Sequence, residues 1–251
     1  MAQNIDWKRD FFPSFSKRDP QPKIFADTYI PGVEMDVDGY MIGDRIEIGA
    51  CHEYVESFED DVFLKGTNVS PPRFWSEAFQ KELKEYLSSV FRLFGINREG
   101  LVFHVELKYQ QEKRQFEIIE INPRIPGAYL HESVYHQTGV RIEAIQTQLS
   151  RSQFDPSLQK SLPSLRWNGT YAGSLHMYHT QSGKLKAIHG IDEALRIDGV
   201  KKFVPRYTAG ATIPKFQGEV YSGFLVASGA SRQDVLATMN RARQTIQFEF
   251  E

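Results

Sequence analysis

Leu101-Val-Phe-His-Val-Glu-Leu-Lys-Tyr109 and Gln115-Phe-Glu-Ile-Ile-Glu-Ile-Asn-Pro-Arg124 are two strand-length runs separated by the charged and polar residues 110–114. The pattern predicts a hairpin. In the first run Leu101, Phe103, Val105 and Leu107 share one face, and His104, Glu106 and Lys108 the other. In the second run strict alternation groups Glu117, Ile119 and Ile121 against Phe116, Ile118, Glu120 and Asn122. A turn near residue 112 or 113 makes paired residue numbers sum to about 224–226. Glu106 then lies opposite Ile118 or Glu120, and two carboxylates and one carboxamide converge from adjacent strands.

Like charges at that separation repel unless one is protonated, a cation sits between them, or the face is wet. An oxygen-only set suits Mg²⁺ or Mn²⁺, with phosphate oxygens and water completing the shell. A hairpin with a solvent-facing polar side explains the periodicity equally well. Glu120-Ile-Asn-Pro-Arg124 favours the site. Pro123 ends the strand just after Asn122, and Arg124 sets a permanent cation beside the acids, where a phosphate or acyl-phosphate oxygen would sit.

Outward from the hairpin, Phe79, Leu83, Tyr86, Leu87, Val90, Phe91 and Phe94 recur at steps of three and four. They predict an amphipathic helix that starts at Ser70-Pro71-Pro72 and closes at Gly95. Residues 23–55 read as strands: Val33, Met35 and Val37 alternate with Glu34, Asp36 and Asp38, and Gly39 and Gly43 mark turns. Residues 57–73 read as a loop. Helices are expected over 130–149 with a break at Gly139. Residues 150–166 read as a linker or excursion, and 167–251 as strand, strand, short helix, strand, strand, helix, strand. Residues 1–22 form a lead-in whose Trp7, Phe11, Phe12 and Phe15 are expected to pack on something.

Composition excludes several classes. Among 251 residues, 30 basic and 32 acidic side chains give a net charge of −2, too little for a broad polyanion-binding field. Lys201-Lys202, Arg241 and Arg243 are too sparse for a nucleic-acid stripe. No apolar run reaches the ~20 residues of a membrane-spanning helix, and the N-terminus lacks a signal-peptide core. The single cysteine, Cys51, cannot form an internal disulfide, so a cytoplasmic protein with no membrane or nucleic-acid partner is expected. His52 stands next to Cys51, but adjacent strand residues face opposite ways, which argues against an activated thiol. The seven histidines are scattered; His104 alone shares the site face, as a neighbour of the ligands or a packed core histidine rather than a ligand. The acidic run Glu56, Glu59, Asp60, Asp61 lacks the spacing of a calcium loop.

Phe103-His-Val-Glu106, thirteen residues, then Glu120-Ile-Asn-Pro-Arg124 resembles the metal-binding signature of the ATP-grasp superfamily, above all its carboxylate–amine ligase and carbamoyl-phosphate-synthase-like branches. Ile24-Phe-Ala-Asp-Thr-Tyr-Ile-Pro-Gly-Val-Glu-Met-Asp-Val-Asp-Gly39 resembles the hinge of the same superfamily. The resemblance implies an α+β fold: residues 23–150 as an ATP-grasp C-terminal subdomain, an antiparallel sheet with packed helices, and 167–251 as a small α+β domain. It implies ATP and Mg²⁺ or Mn²⁺ as cofactors, with Glu106, Glu120 and Asn122 as metal ligands and Arg124 as the catalytic arginine. It implies Asp27, Tyr29 and Ile30 along adenine and Glu34 on the ribose hydroxyls. Asp27 stands where the family has glutamate, and Pro126 in Ile125-Pro-Gly-Ala128 stands where many relatives have a glycine pair.

No glycine-rich loop with a following lysine precedes residue 23, and Lys17 and Lys23 do not match the family's nucleotide-binding lysines. The implied function is therefore the C-terminal half of an ATP-dependent ligase that joins a carboxylate to an amine through an acyl phosphate. The alternatives are a non-catalytic or truncated domain, or one polypeptide of a split ligase. The implied partners are nucleotide and small carboxylate and amine substrates, with a second polypeptide carrying the N-terminal half, or a second copy, as alternatives.

Overall fold

A computed structural model describes residues 28–55, 66–96, 100–152, 156–178, 181–214 and 221–251. Contacts divide the chain into Met1–Ile30 and Pro31–Glu251. The lead-in aromatics, Lys17, Lys23, Asp27 and the acidic run 56–61 lie outside the described residues.

The second unit is built on one eight-stranded antiparallel sheet in the order β5-β4-β1-β2-β3-β6-β10-β8. Its strands are β1 (Val33–Ile42), β2 (Arg45–Tyr54), β3 (Thr67–Ser70), β4 (Leu101–Gln110), β5 (Gln115–Asn122), β6 (Tyr171–Tyr178), β8 (Val200–Pro205) and β10 (Tyr221–Gly229). A small sheet, β11-β7-β9, joins β7 (Gly183–His189), β9 (Thr212–Ile213) and β11 (Gln247–Phe250). The C-terminal residues thus extend the sheet begun by the N-terminal ones. β3 is the link: it pairs with β2 through Glu53↔Val69 and with β6 through Val69↔Gly173. The sequence reading had this stretch as loop. Thr67-Asn-Val-Ser70 is polar and short, yet all four residues are buried between two longer strands.

Helices cover the two faces unequally. α1 (Glu77–Leu93) lays Phe79, Leu83, Leu87 and Phe91 on Met35, Val37, Phe103, Val105 and Leu107. Its cap is Ser76, whose side chain accepts from the Phe79 amide, six residues beyond the expected start. Phe74 and Trp75 use the intervening turn to reach the core. On the same face α5 (Arg232–Thr245) packs Val235, Met239 and Ala242 on Leu175, Leu225 and Ala227. The opposite face carries α2 (Leu130–Thr138) and α3 (Ile142–Ser152), parted at Gly139 with φ 74°. Their apolar side chains pack on Tyr40, Ala50 and Val102, the apolar end of β1, β2 and β4, and α2 also lies along β6 and β10. The short helix α4 (Ile191–Leu195) completes the order. No helix among the described residues is long and apolar enough to cross a membrane.

One acid ties α2 to the far edge of the sheet. Glu132 is buried, with the Lys202 ammonium of β8 on one oxygen and the Arg141 guanidinium on the other at 3.0 Å. Burial alone would raise its pKa; the two cations bring it below the ordinary carboxylate value.

Candidate functional site

The register of β4 on β5 sets Glu106 directly opposite Glu120 and His104 opposite Asn122. Strict alternation fails just beyond. A bulge after Glu106 leaves Ile119 unmatched, so Leu107 pairs with Ile118, Lys108 with Glu117 and Tyr109 with Phe116. Phe116 and Ile118, expected beside Glu120, instead join the core under α1. Phe116 stacks on Tyr109 at 4.7 Å and meets Phe79 at 5.5 Å. The extra residue lets one strand bury its aromatic end on one face while presenting its acids on the other. The site face is consequently more polar than the sequence reading had it.

β1 adds a row that sequence reasoning passed over. Glu34 lies opposite Lys108, Asp36 opposite Glu106 and Asp38 opposite His104, and β2 brings His52 opposite Asp36. Asp36 and Asp38 were visible as the polar half of the 33–38 alternation; only the register shows that they adjoin Glu106 and His104. Asp38 is fully buried, with Oδ1 at 2.7 Å from His104 Nδ1 and Oδ2 at 3.3 Å from His52 Nδ1. His104 Nε2 is 3.5 Å from Glu106 Oε1. Tyr54 donates to Asp36 Oδ2 at 2.6 Å.

Burial alone would raise the Asp38 carboxyl, but His104 and His52 outweigh it and hold the group at about 2. Burial alone would lower His104; Asp38 and Glu106 instead push it up to about 10. Cys51 is buried and its thiol is pushed up by that burial, so it has none of the thiolate character of a nucleophile.

The residues singled out in the sequence fall in distinct places. Glu106, Glu120 and Asn122 share one face of the hairpin. Glu120 and the Asn122 side chain make no hydrogen bond or ion pair among the described residues, and the Asn122 Nδ2 atom is buried. Glu34 lies on the same face, with Lys108 Nζ at 3.0 Å from Oε2. Arg124 is exposed two residues past Asn122, and its guanidinium donates to the Ile125 carbonyl at 3.1 Å. Tyr29 and Ile30 belong to the first unit, where Tyr29 is exposed. After Pro126, Ala128 and Tyr129 both take left-handed φ, 51° and 61°. Such backbone costs ~1–3 kcal/mol per residue. It is held by the Ser174 hydroxyl, which donates to the Ala128 carbonyl, and by packing of the Tyr129 ring on Phe224.

The donor set fits a hard divalent cation. Two directly opposed carboxylates are unfavourable neighbours across a strand pair unless something positive joins them, and the uncommitted Asn122 amide adds a neutral oxygen. One ligand atom each from Asp36, His104 and Glu106 also lie within 4.8 Å of one another.

The same architecture occurs in solved structures. An L-amino acid ligase from Bacillus licheniformis superposes with TM-score 0.73 at 19% identity, over 89% of this chain and 53% of that one. A phosphoribosylglycinamide synthetase from Anaerococcus prevotii gives 0.72 at 15%, over 89% and 55%. A biotin carboxylase–β,γ-ATP complex from Campylobacter jejuni gives 0.61 at 15%, over 89% and 48%. This chain carries the C-terminal portion of an ATP-grasp fold. Residues 176–251 also match the family model for L-amino acid ligase C-terminal domain 2. The chain spans about half the length of these three structures.

Proposed function

We propose that the chain supplies the metal-binding half of an ATP-dependent carboxylate–amine ligase, or of a ligase using a related nucleophile. The observation that carries the reading is the Glu106–Glu120 register pair with Asn122 on the same face of an ATP-grasp sheet. Glu106, Glu120 and Asn122 would hold Mg²⁺ or Mn²⁺. When bound, that ion neutralises charge on the β- and γ-phosphate oxygens. Arg124, a planar fork of donors at the strand end, would hold an oxygen of the acyl phosphate. Glu34, on the same face as the acids, would accept from ribose hydroxyls. In the reaction, the substrate carboxylate takes the γ-phosphoryl group and ADP leaves. The amine then attacks the acyl carbon, inorganic phosphate departs, and the amine loses a proton.

Mg²⁺ or Mn²⁺ titration with thermal unfolding tests the assignment. A ligand bound only by the folded chain stabilises it by ~2.7 kcal/mol at a hundred times Kd. Wild type should respond in this way and Glu120→Gln should lose most of the response. An equal response in both would place the cation elsewhere and end the reading.

A further inference from the structure

We propose that Asp38 and His104 are positioning residues for Glu106: Asp38 orients the His104 ring, and the ring holds the Glu106 carboxylate where it faces Glu120. The inference rests on the metal-site reading above and adds to it two residues that contribute no oxygen ligand.

Three observations carry it. The first is the register. Asp38 lies opposite His104 on β1 and β4, and Asn122 lies opposite His104 on β5, so the ring sits one pair behind the Glu106–Glu120 pair on the same face. The second is the contact geometry. His104 Nδ1 is 2.7 Å from Asp38 Oδ1, a hydrogen bond that commits Nδ1 and leaves Nε2 directed at Glu106 Oε1, 3.5 Å away. Asp38 is itself constrained, with His52 Nδ1 on its second oxygen and no exposure of either residue. The third is the bulge, which begins immediately after Glu106. The unmatched residue is Ile119 of β5, so the ladder that holds Glu120 opposite Glu106 is interrupted on one side, and a side-chain contact to Glu106 adds a constraint there.

A group that only filled space would be indifferent to which nitrogen is replaced. Asparagine at 104 reproduces the Nδ1 contact to Asp38 and cannot reach Glu106; glutamine reaches the Nε2 position. The experiment measures Mn²⁺ binding to the chain by electron paramagnetic resonance in wild type, Glu120→Gln, His104→Asn, His104→Gln and Asp38→Asn, with circular dichroism on each to verify folding. The expected result is Mn²⁺ affinity weakened about 10–100-fold in His104→Asn and Asp38→Asn, the range for partners that orient a ligand, with His104→Gln recovering most of the loss. Wild-type affinity in His104→Asn overturns the proposal. So does equal weakening in His104→Asn and His104→Gln, and if Asp38→Asn does not fold these two variants still decide. Failure of wild type to bind Mn²⁺, or undiminished binding in Glu120→Gln, overturns the site reading and the proposal with it. Loss in Glu120→Gln with none at position 104 overturns the proposal alone.

Discussion

Two buried acids on one face of the sheet are neutralised in different ways. Asp38 lies between two imidazoles that are buried with it, and one ring passes the contact on to Glu106. Glu132 lies between an ammonium and a guanidinium whose side chains are 39% and 48% exposed. The second arrangement ends in water: the cations reach solvent by small rotations, and the cluster ties a helix to an edge strand. The first ends at the partly buried Glu106, opposite Glu120. A carboxylate whose partners cannot leave the interior fixes side-chain geometry, whereas one whose partners can rotate outward holds its elements together less tightly.

That contrast can be broken at Asp38, where the largest effect is expected. Asp38→Ala strips two buried rings of their acceptor, and removing one member of a buried pair costs ~3–5 kcal/mol. Urea unfolding should read a loss of that size, and a loss under ~1 kcal/mol would show that the rings are satisfied without Asp38. Glu132→Ala should cost less, ~1 kcal/mol, because Lys202 and Arg141 can turn to solvent; a cost equal to that of Asp38→Ala would erase the distinction.

Acid titration sharpens the comparison with a smaller effect. Both carboxylates are held below their unfolded values, so each stabilises the fold above the ordinary carboxylate range and loses that contribution as pH falls through its folded value. For Asp38 the loss runs from about 3.8 down to about 2. Unfolding of wild type between pH 5 and 2 should therefore steepen relative to a Glu132→Gln variant, which lacks its share of proton uptake. Parallel curves would mean that Glu132 titrates alike in both states. The smallest effect is expected at Lys108→Met. Loss of the 3.0 Å pair with partly exposed Glu34 should cost under ~1 kcal/mol and leave any Mn²⁺ binding in place.

The hairpin was legible because period-two alternation and a polar turn are local properties. The same holds for α1 after Ser76, for the break at Gly139, and for nearly the whole strand–helix order of the C-terminal part, where only the two-residue β9 is additional. Three things were not legible. The bulge at Ile119 arises because Phe116 and Ile118 must reach the α1 core while Glu120 faces away; that demand comes from Phe79 and Tyr109, distant in sequence. Thr67–Ser70 carries no strand signature of its own and becomes one because β2 and β6 flank it. There Asn68 Oδ1 accepts from the Ser174 amide at 3.1 Å. The start of α1 was misplaced because prolines at 71 and 72 look like a first turn, whereas the cap that satisfies an orphan amide is Ser76.

The amino-acid sequence by itself determined which residues could form the site: Glu106, Glu120 and Asn122 are recognisable by residue type, spacing and strand parity, all carried within one hairpin. The tertiary structure alone decided what surrounds them. Asp36 and Asp38 join the site through the pairing of β1 with β4, strands far apart in the chain, and His52 comes with them on β2, the neighbour of β1; a contact at the β1–β4 separation leaves no periodic trace in the chain. Local order follows from backbone geometry and side-chain alternation, which act over a few residues; a shared buried charge network follows from register between distant strands, which folding sets only when the core closes.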